Sequence, residues 1–297
     1  LFLFKIMNSQ LSFYAGNLLL GQGIATIPDN QTGLTIGANL ETLDWQVWQD
    51  YFNKNTESNE GMKRFARTVG NLLKTIKLSV GSTIIFQQQI KNALINLTPK
   101  PEGWNIAIES LRIDGDLFVP TNYQQAGLTG HFHRLYLQEI KGAENATINP
   151  GSIPPLQLSM GDFQYGVKYF GAIDMNTYPE GDALIIRSLK ANSSLLTADL
   201  SGYWKQLDDK TYQSHLTGKV TSDNINDLLQ TFDFSTSIIA GKGSANFDFT
   251  WPNAIYQWQI KAFNGTLNLN LGAGRVIDLG EAATKQLSMG RLLTLLS

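Results

Sequence analysis

Residues 244–280, "SANFDFTWPNAIYQWQIKAFNGTLNLNLGAGRVIDLG", alternate apolar and polar side chains through much of their length. Phe247, Phe249 and Trp251 share one parity, and Leu267, Leu269 and Leu271 share another run of the same kind. Successive side chains of a strand point to opposite faces, so each run is a ribbon with one apolar face and one face of Asn, Asp or Thr. A chain built of such ribbons must form a sheet and must cover one side of it.

The same pattern recurs along the chain with glycine near the start of many runs: "GQGIATI" at 21, "GLTIGANL" at 33, "GDLFVP" at 115, "GHFHRLYL" at 130, "GAIDMN" at 171, "GYWKQL" at 202, "GKVTS" at 218, "GSANFDF" at 243 and "GTLNLNL" at 265. Glycine in or beside a strand marks a tight turn, a bulge or a close backbone approach. The series predicts antiparallel strands added one after another into a long sheet. The opening "LFLFKIMNSQLSFYAG" reads as a strand pair taken up in mid-protein, so the chain is expected to be a piece of a longer one.

Three stretches break the period of two. "TSDNINDLLQTF" (221–232) offers Ser222 as an N-cap before Ile225, Leu228, Leu229 and Phe232, the spacing of one helical face. "NEGMKRFARTVGNLLKTIK" (59–77) places Met62, Phe65, Val69, Leu72, Leu73 and Ile76 on one stripe beside Lys63, Arg64, Arg67 and Lys74, and reads as a basic amphipathic helical insertion. "EAATKQLSMGRLLTLLS" is helical in propensity. The Pro-rich joint "NPGSIPPLQ" sets a soft boundary between a first part, 1–148, and a second, 149–297, of one elongated domain.

Composition excludes several classes of function. The net charge of −2 and pI near 6.0 give no general attraction to nucleic acid or an anionic membrane. Cysteine is absent, which removes disulfides, thiolate metal sites and a cysteine nucleophile. Nowhere do the roughly 18–20 apolar residues of a spanning helix occur in succession. Charged residues make up only 16% of the chain, and neutral polar side chains solvate the other face of the ribbons.

No catalytic, metal or cofactor constellation stands out. "GAGR" (272–275) lacks the G-x-G-x-x-G spacing, and "AGKGS" (240–244) lacks the first glycine of a phosphate loop and reads as a turn. His131 and His133 have the spacing of a metal pair on a strand but no third ligand nearby. Asp114 with Asp116, and Asp208 with Asp209, read as turn residues. No G-x-S-x-G elbow is present.

Several phrases in order carry a family resemblance. "SGYW" with Ser201, Gly202 and Trp204, then "LTGKVTSDNINDLL", then "GKGSANFDFTWP" ending in Trp251 and Pro252, then "NGTLNLNLGAGRVIDLG" and "GRLLTLLS", resemble the C-terminal region of the AsmA-like envelope proteins, in particular the YhdP subgroup. Upstream, "LTIGANLETLDWQVWQDYF", "WNIAIESLRIDGDLFVP" and "PPLQLSMGDFQYGVKYFGAIDM" look like the preceding strands of that family, so the resemblance runs from about residue 33 to the end. It has no counterpart for 59–77.

The resemblance implies a mainly β fold: a long, strongly curved antiparallel sheet with a few short helices, forming an open apolar groove of the bridge-like lipid-transfer type. It implies a periplasmic segment of a protein anchored in the inner membrane of a Gram-negative bacterium through a part outside this chain. Phospholipid acyl chains are the implied partners, moved toward the outer membrane, with outer-membrane or periplasmic proteins as further partners; no nucleic acid, cofactor, metal or catalytic residue is implied. On this reading Phe247, Phe249, Trp251, Leu267, Leu269 and Leu271 line the groove, with Leu117, Val119, Leu184 and Ile186 on other strands, while Phe232 and the helix around Leu228 act as plugs or edge covers. The basic stripe of 59–77 is either a solvated face or a contact for anionic headgroups. A trough of this kind would bury acyl chains at about 0.8 kcal/mol per methylene, close to what they leave in a bilayer. From the ribbons alone, an envelope β-sandwich or scaffold without lipid and an outer-membrane β-barrel remain alternatives.

Overall fold

The computed structural model describes residues 1–7, 10–27, 29–44, 72–85, 87–139, 149–208, 211–231, 238–272 and 274–276. The chain divides into two compact units, Leu1–Thr121 and Asn122–Ser297. The Pro-rich joint lies inside the second, where Pro150–Ser152 make a single 3-10 turn.

The first unit holds strands β1 (Phe2–Met7), β2 (Gln10–Leu20), β3 (Gly33–Leu43), β4 (Leu73–Ile85), β5 (Gln88–Lys100), β6 (Gly103–Glu109) and β7 (Ile113–Pro120), side by side in chain order. The second opens on a one-turn helix α1 (Tyr123–Ala126) and holds β8 (Leu128–Leu137), β9 (Leu156–Tyr165), β10 (Lys168–Glu180), β11 (Ala183–Asn192), β12 (Thr197–Asp208), β13 (Thr211–Ser222), helix α2 (Ile225–Thr231), β14 (Ile238–Ala240), β15 (Gly243–Pro252), β16 (Asn264–Leu271) and β17 (Gly274–Val276). Strands β8 to β13, then β15 and β16, again follow chain order; β14 pairs apart with β17. The mainly β architecture with few helices matches the expectation. Among the described residues neither unit closes into a barrel, since β1 does not pair with β7 nor β8 with β16.

Strand direction departs from the all-antiparallel expectation. Strands β2 and β3, β3 and β4, and β8 and β9 pair in parallel, while the other pairs within each unit are antiparallel. Antiparallel neighbours need only a tight turn, whereas parallel ones need a crossover of about a dozen residues or more. The connections after β2, β3 and β8 are long enough for that, 21–32, 44–72 and 138–155. "GQGIATI" accordingly belongs to the first crossover and is not a strand. The predicted helix at 59–77 gives way to β4 from Leu73, because Ile76 and Leu78 join the apolar row of the sheet; residues 59–71 lie outside the described residues. Phe232, Asp209 and the segment 277–297 lie outside them too.

Local chemistry differs from expectation in two more places. Asp114 and Asp116 stand within β7, opposite Glu109 and Ala107, so their alternation is that of a strand and not of a turn. Helix α2 is capped by Asn224, whose side-chain oxygen accepts from the Asp227 N–H at 3.2 Å and whose amide donates to the Asp227 carboxylate at 2.6 Å. Ser222 supports that cap by accepting from the Asn224 N–H at 3.0 Å.

The second unit is strongly curled. Lys168, at the start of β10, places its Nζ 5.3 Å from the ring centroid of Trp258, in the connection that follows β15. Strands β10 and β15 stand four steps apart in the strand order, about 19 Å in a flat sheet. Backbones approach closely at glycines: at Gly265 (φ +150°) a Cβ would clash with the Asp248 carbonyl oxygen, and at Gly218 (φ +153°) with that of Asp199.

Candidate functional site

Register places the apolar residues in rows across the strands. In the first unit Leu18, Ile36, Ile76, Leu97, Ile106 and Leu117 are successive partners from β2 to β7. The next row is Leu20, Ala38, Leu78, Ile95, Ile108 and Gly115, and Val119 follows on the same face opposite Trp104. The reverse face carries Lys77, Asn96, Ala107 and Asp116.

The second unit repeats this arrangement at greater length. One row runs Leu158, Met175, Leu189, Leu200, Gly218, Phe247 and Leu267 from β9 to β16. Beside it on one side lie Ile173, Ala191, Ala198, Val220, Ala245 and Leu269. On the other side lie Thr177, Ile186, Gly202, Leu216 and Phe249, and beyond them Leu184, Trp204, Ser214 and Trp251. Leu271 extends the face opposite Gly243. The reverse face carries a ladder of alternating charge, Asp174, Lys190, Asp199 and Lys219, continued by Asn246 and Asn268. Opposite charges on neighbouring strands support the pairing and keep that face in water.

Cover on the apolar face is uneven. Toward one end Leu228 of α2 packs against a cluster of Met160, Ile173, Ala191, Leu196 and Ala198, all below 8% exposed. Toward the other, Ile153 and the segment Ala254–Tyr256 pack on Leu184 and Trp204, while Phe263 lies 5.1 Å from Trp251 and 5.0 Å from Phe249. Between them Leu189, Leu200, Leu216 and Phe247 form a central apolar band that is only half-buried, with the Phe247 ring stacked at 5.2 Å on Phe249, at the margin of the covered end. The Lys168–Trp258 contact crosses this face, which makes it the concave one.

The structure thus brings eight of the candidate lining residues onto one face of the second unit. Leu184, Ile186 and Trp251 are buried at 8%, 6% and 3% exposure under protein; Phe247, Phe249, Leu269 and Leu271 are half-buried, and Leu267, on edge strand β16, is exposed. Leu117 and Val119 stand half-buried on the apolar face of the first unit. Sequence reading passed over Leu158, Met175, Leu189, Leu200 and Leu216, although "LQLSM" and "SLKANSSLLTADL" carry the same alternation. It also missed the segment 253–263, which has no strand or helix period.

The other polar groups read as supports of the sheet. His131 shares a 2.8 Å hydrogen bond with Ser159, and His215 sits 3.0 Å from Asp248 while stacking on Tyr203. Among the described residues no cluster of three or more His, Cys, Asp or Glu could hold a metal ion. On the reverse face the Tyr136 hydroxyl donates to the Asp162 carboxylate, whose hydrogen bond and charge hold that tyrosine above its ordinary pKa of 10.0. Burial raises Tyr256, with Tyr165 and Tyr212 adding to the effect. No helix among the described residues is long and apolar enough to cross a membrane.

Comparison with known proteins converges on one group. Over 284 residues the chain is 23% identical to a protein of Escherichia coli (strain K12) described as "Intermembrane phospholipid transporter YhdP". That match covers 92% of this chain and 21% of the relative, so the chain spans about a fifth of the relative's length. No solved structure gives a significant match. The family described as YhdP protein matches residues 2–297, and with one-sided rows of apolar residues along its sheets this chain belongs to that family.

Proposed function

We propose that the chain is a periplasmic segment of a bridge that carries phospholipid between the inner and outer membranes, with acyl chains on the concave apolar face and headgroups at its open side. The observation that carries this reading is the half-buried central band of Leu189, Leu200, Leu216 and Phe247. An apolar sheet face must be covered, and among the described residues protein packs over its two ends. Each methylene that settles on the band gains about 0.8 kcal/mol, comparable with its burial in a bilayer, so transfer along the face is close to neutral in free energy. The printed name of the Escherichia coli relative supports the same substrate. An inner-membrane anchor outside this chain, and a role in outer-membrane integrity, belong to the proposal.

Two observations weigh against the alternatives. A sandwich needs a second sheet over the apolar face, and the only other sheet among the described residues is the pair β14 and β17, three residues each. A membrane barrel turns its apolar side outward, whereas here the convex side carries Asp174, Lys190, Asp199 and Lys219. The test is native mass spectrometry of the protein purified without detergent, with organic extraction of what travels with it. Phospholipid at a fixed stoichiometry is expected in the native protein and is lost in Leu200→Asp; an identical lipid-free mass for both would overturn the reading.

A further inference from the structure

The connection from β15 to β16, residues 253–263, does not turn tightly but lies as a strap on the apolar face. Ala254, 2% exposed, packs with Ile255 and Tyr256 on Leu184 and Trp204, and the Tyr256 ring meets Trp204 edge-on at 5.7 Å. Its start is bonded to the sheet, through Asn253 N–H to the Tyr212 carbonyl and the Ser214 hydroxyl to the Asn253 carbonyl. Its middle is bonded to itself: Gln257 N–H donates to the Ala254 carbonyl at 2.9 Å, and the Gln257 side-chain oxygen accepts from Ala254 N–H at 3.4 Å.

Around this strap lie polar atoms that the protein leaves unused. Trp204 Nε1, Trp251 Nε1 and Tyr212 Oη are buried with no hydrogen-bond partner among the described residues. Trp204 and Trp251 are 5% and 3% exposed, and Tyr212 touches Trp204 with ring centroids 5.9 Å apart. Burying a donor without an acceptor is unfavourable, and buried polar groups in native proteins are nearly all paired. An indole N–H only donates, so the missing component is an oxygen acceptor. Its surroundings are apolar on the sheet side and include a cation, Lys168, at the strap's far edge. Acceptor oxygens joined to apolar chains and a negative charge describe the glycerol ester and phosphate portion of a diacyl phospholipid.

We propose that the strap is a displaceable cover over a phospholipid subsite, where ester and phosphate oxygens accept from Trp204 Nε1, Tyr212 Oη and Trp251 Nε1 and an acyl chain replaces Ile255 and Tyr256 on the apolar face. This rests on the lipid reading of the concave face. It turns part of the segment's own cover into a gate at one level of the groove, with Lys168 giving the phosphate a counter-charge.

The test uses the full-length protein loaded from vesicles of phosphatidylethanolamine and phosphatidylglycerol, with bound phospholipid measured by extraction and mass spectrometry. The double variant Trp204→Phe/Tyr212→Phe keeps a six-membered aromatic ring at each position and removes two donors; its apparent affinity is expected to fall roughly tenfold while the protein stays folded, its Tm lowered by the cavity that the smaller ring leaves at 204. Free inorganic phosphate is expected not to compete. The chain has no cysteine, so Val167→Cys with Gln259→Cys, exposed neighbours of the Lys168–Trp258 contact, joined by a bis-maleimide, fixes the strap in place and is expected to block loading; the same variant capped with a monofunctional maleimide still loads. Wild-type loading in the double variant or in the tied protein would overturn the subsite, as would competition by inorganic phosphate. If the native protein loads no better than Leu200→Asp, the lipid reading itself fails and the subsite with it; if only Leu200→Asp loses loading, the groove stands and the subsite alone falls.

Discussion

The two units carry the same rows of apolar side chains and cover them differently. In the first unit Ala38, Val80, Ala93 and Ile95 are 1–7% exposed, while Leu18 and Leu20 are 41% and 46% exposed and Ile76, Leu97, Ile106 and Leu117 are half-buried. In the second, Met160, Ile173, Trp204 and Trp251 are 3–5% exposed under α2 and the strap, and the central band is half-buried like the row from Ile76 to Leu117 in the first unit. One-sided alternation therefore sets which face is apolar but not what covers it. Where a described helix or strap lies on the face, the residues become ordinary core; where none does among the described residues, lipid is the proposed cover.

That contrast is most exposed to failure where a charge is placed on the bare parts. Leu200→Asp in the central band is expected to abolish phospholipid transport by the full-length protein, because a carboxylate on the acyl path carries a desolvation cost of several kcal/mol. Leu269→Asp is expected to do the same at the edge strand while Asn270→Asp, facing the other way, is tolerated; equal transport by both would break the assignment of faces. Covered and bare positions should differ in kind. Ile173→Asp, in the packed cluster, is expected to destabilise folding by roughly 3 kcal/mol or more, whereas Ile106→Asp in the first unit should impair transport with a much smaller change in urea midpoint.

Smaller effects sharpen the description of the second unit. Gly265→Ala is expected to cost about 1–3 kcal/mol, since a Cβ there meets the Asp248 carbonyl and the backbone is left-handed. Asn224→Ala removes the cap of α2 and should cost about 1 kcal/mol by thermal unfolding. The smallest effect is alkaline. Burial holds the Tyr256 hydroxyl above its ordinary value of 10.0, so its contribution is intact below pH 10 and is lost as pH rises beyond it through the folded-state value. Tyr256→Phe should remove that part of the alkaline loss, measured as Tm against pH.

Much of the fold is legible from the period of two. Phe247, Phe249 and Trp251, or Leu267, Leu269 and Leu271, fall on one face by parity alone, and the ordered strands follow from tight turns between them. Strand direction is not legible this way, since alternation is the same in parallel and antiparallel pairs; only the lengths of 21–32, 44–72 and 138–155 hint at crossovers. Asp114 and Asp116 have turn chemistry, but their neighbours make them a strand, and Asn224 displaces Ser222 as cap because only its side chain reaches Asp227. The strap is the largest omission. "NAIYQWQIKAF" has no period, and its place depends on the curl that brings Trp258 to Lys168.

Leu189 and Lys190 are adjacent on β11, one in the central apolar band and one in the charged ladder. A photoreactive phenylalanine at each position of the full-length protein, irradiated in cells, reads the environment of the two faces a few ångströms apart. Phospholipid adducts at position 189 and none at 190 are the expected result; equal capture at both, or adducts at 190 alone, would contradict an apolar face that carries lipid.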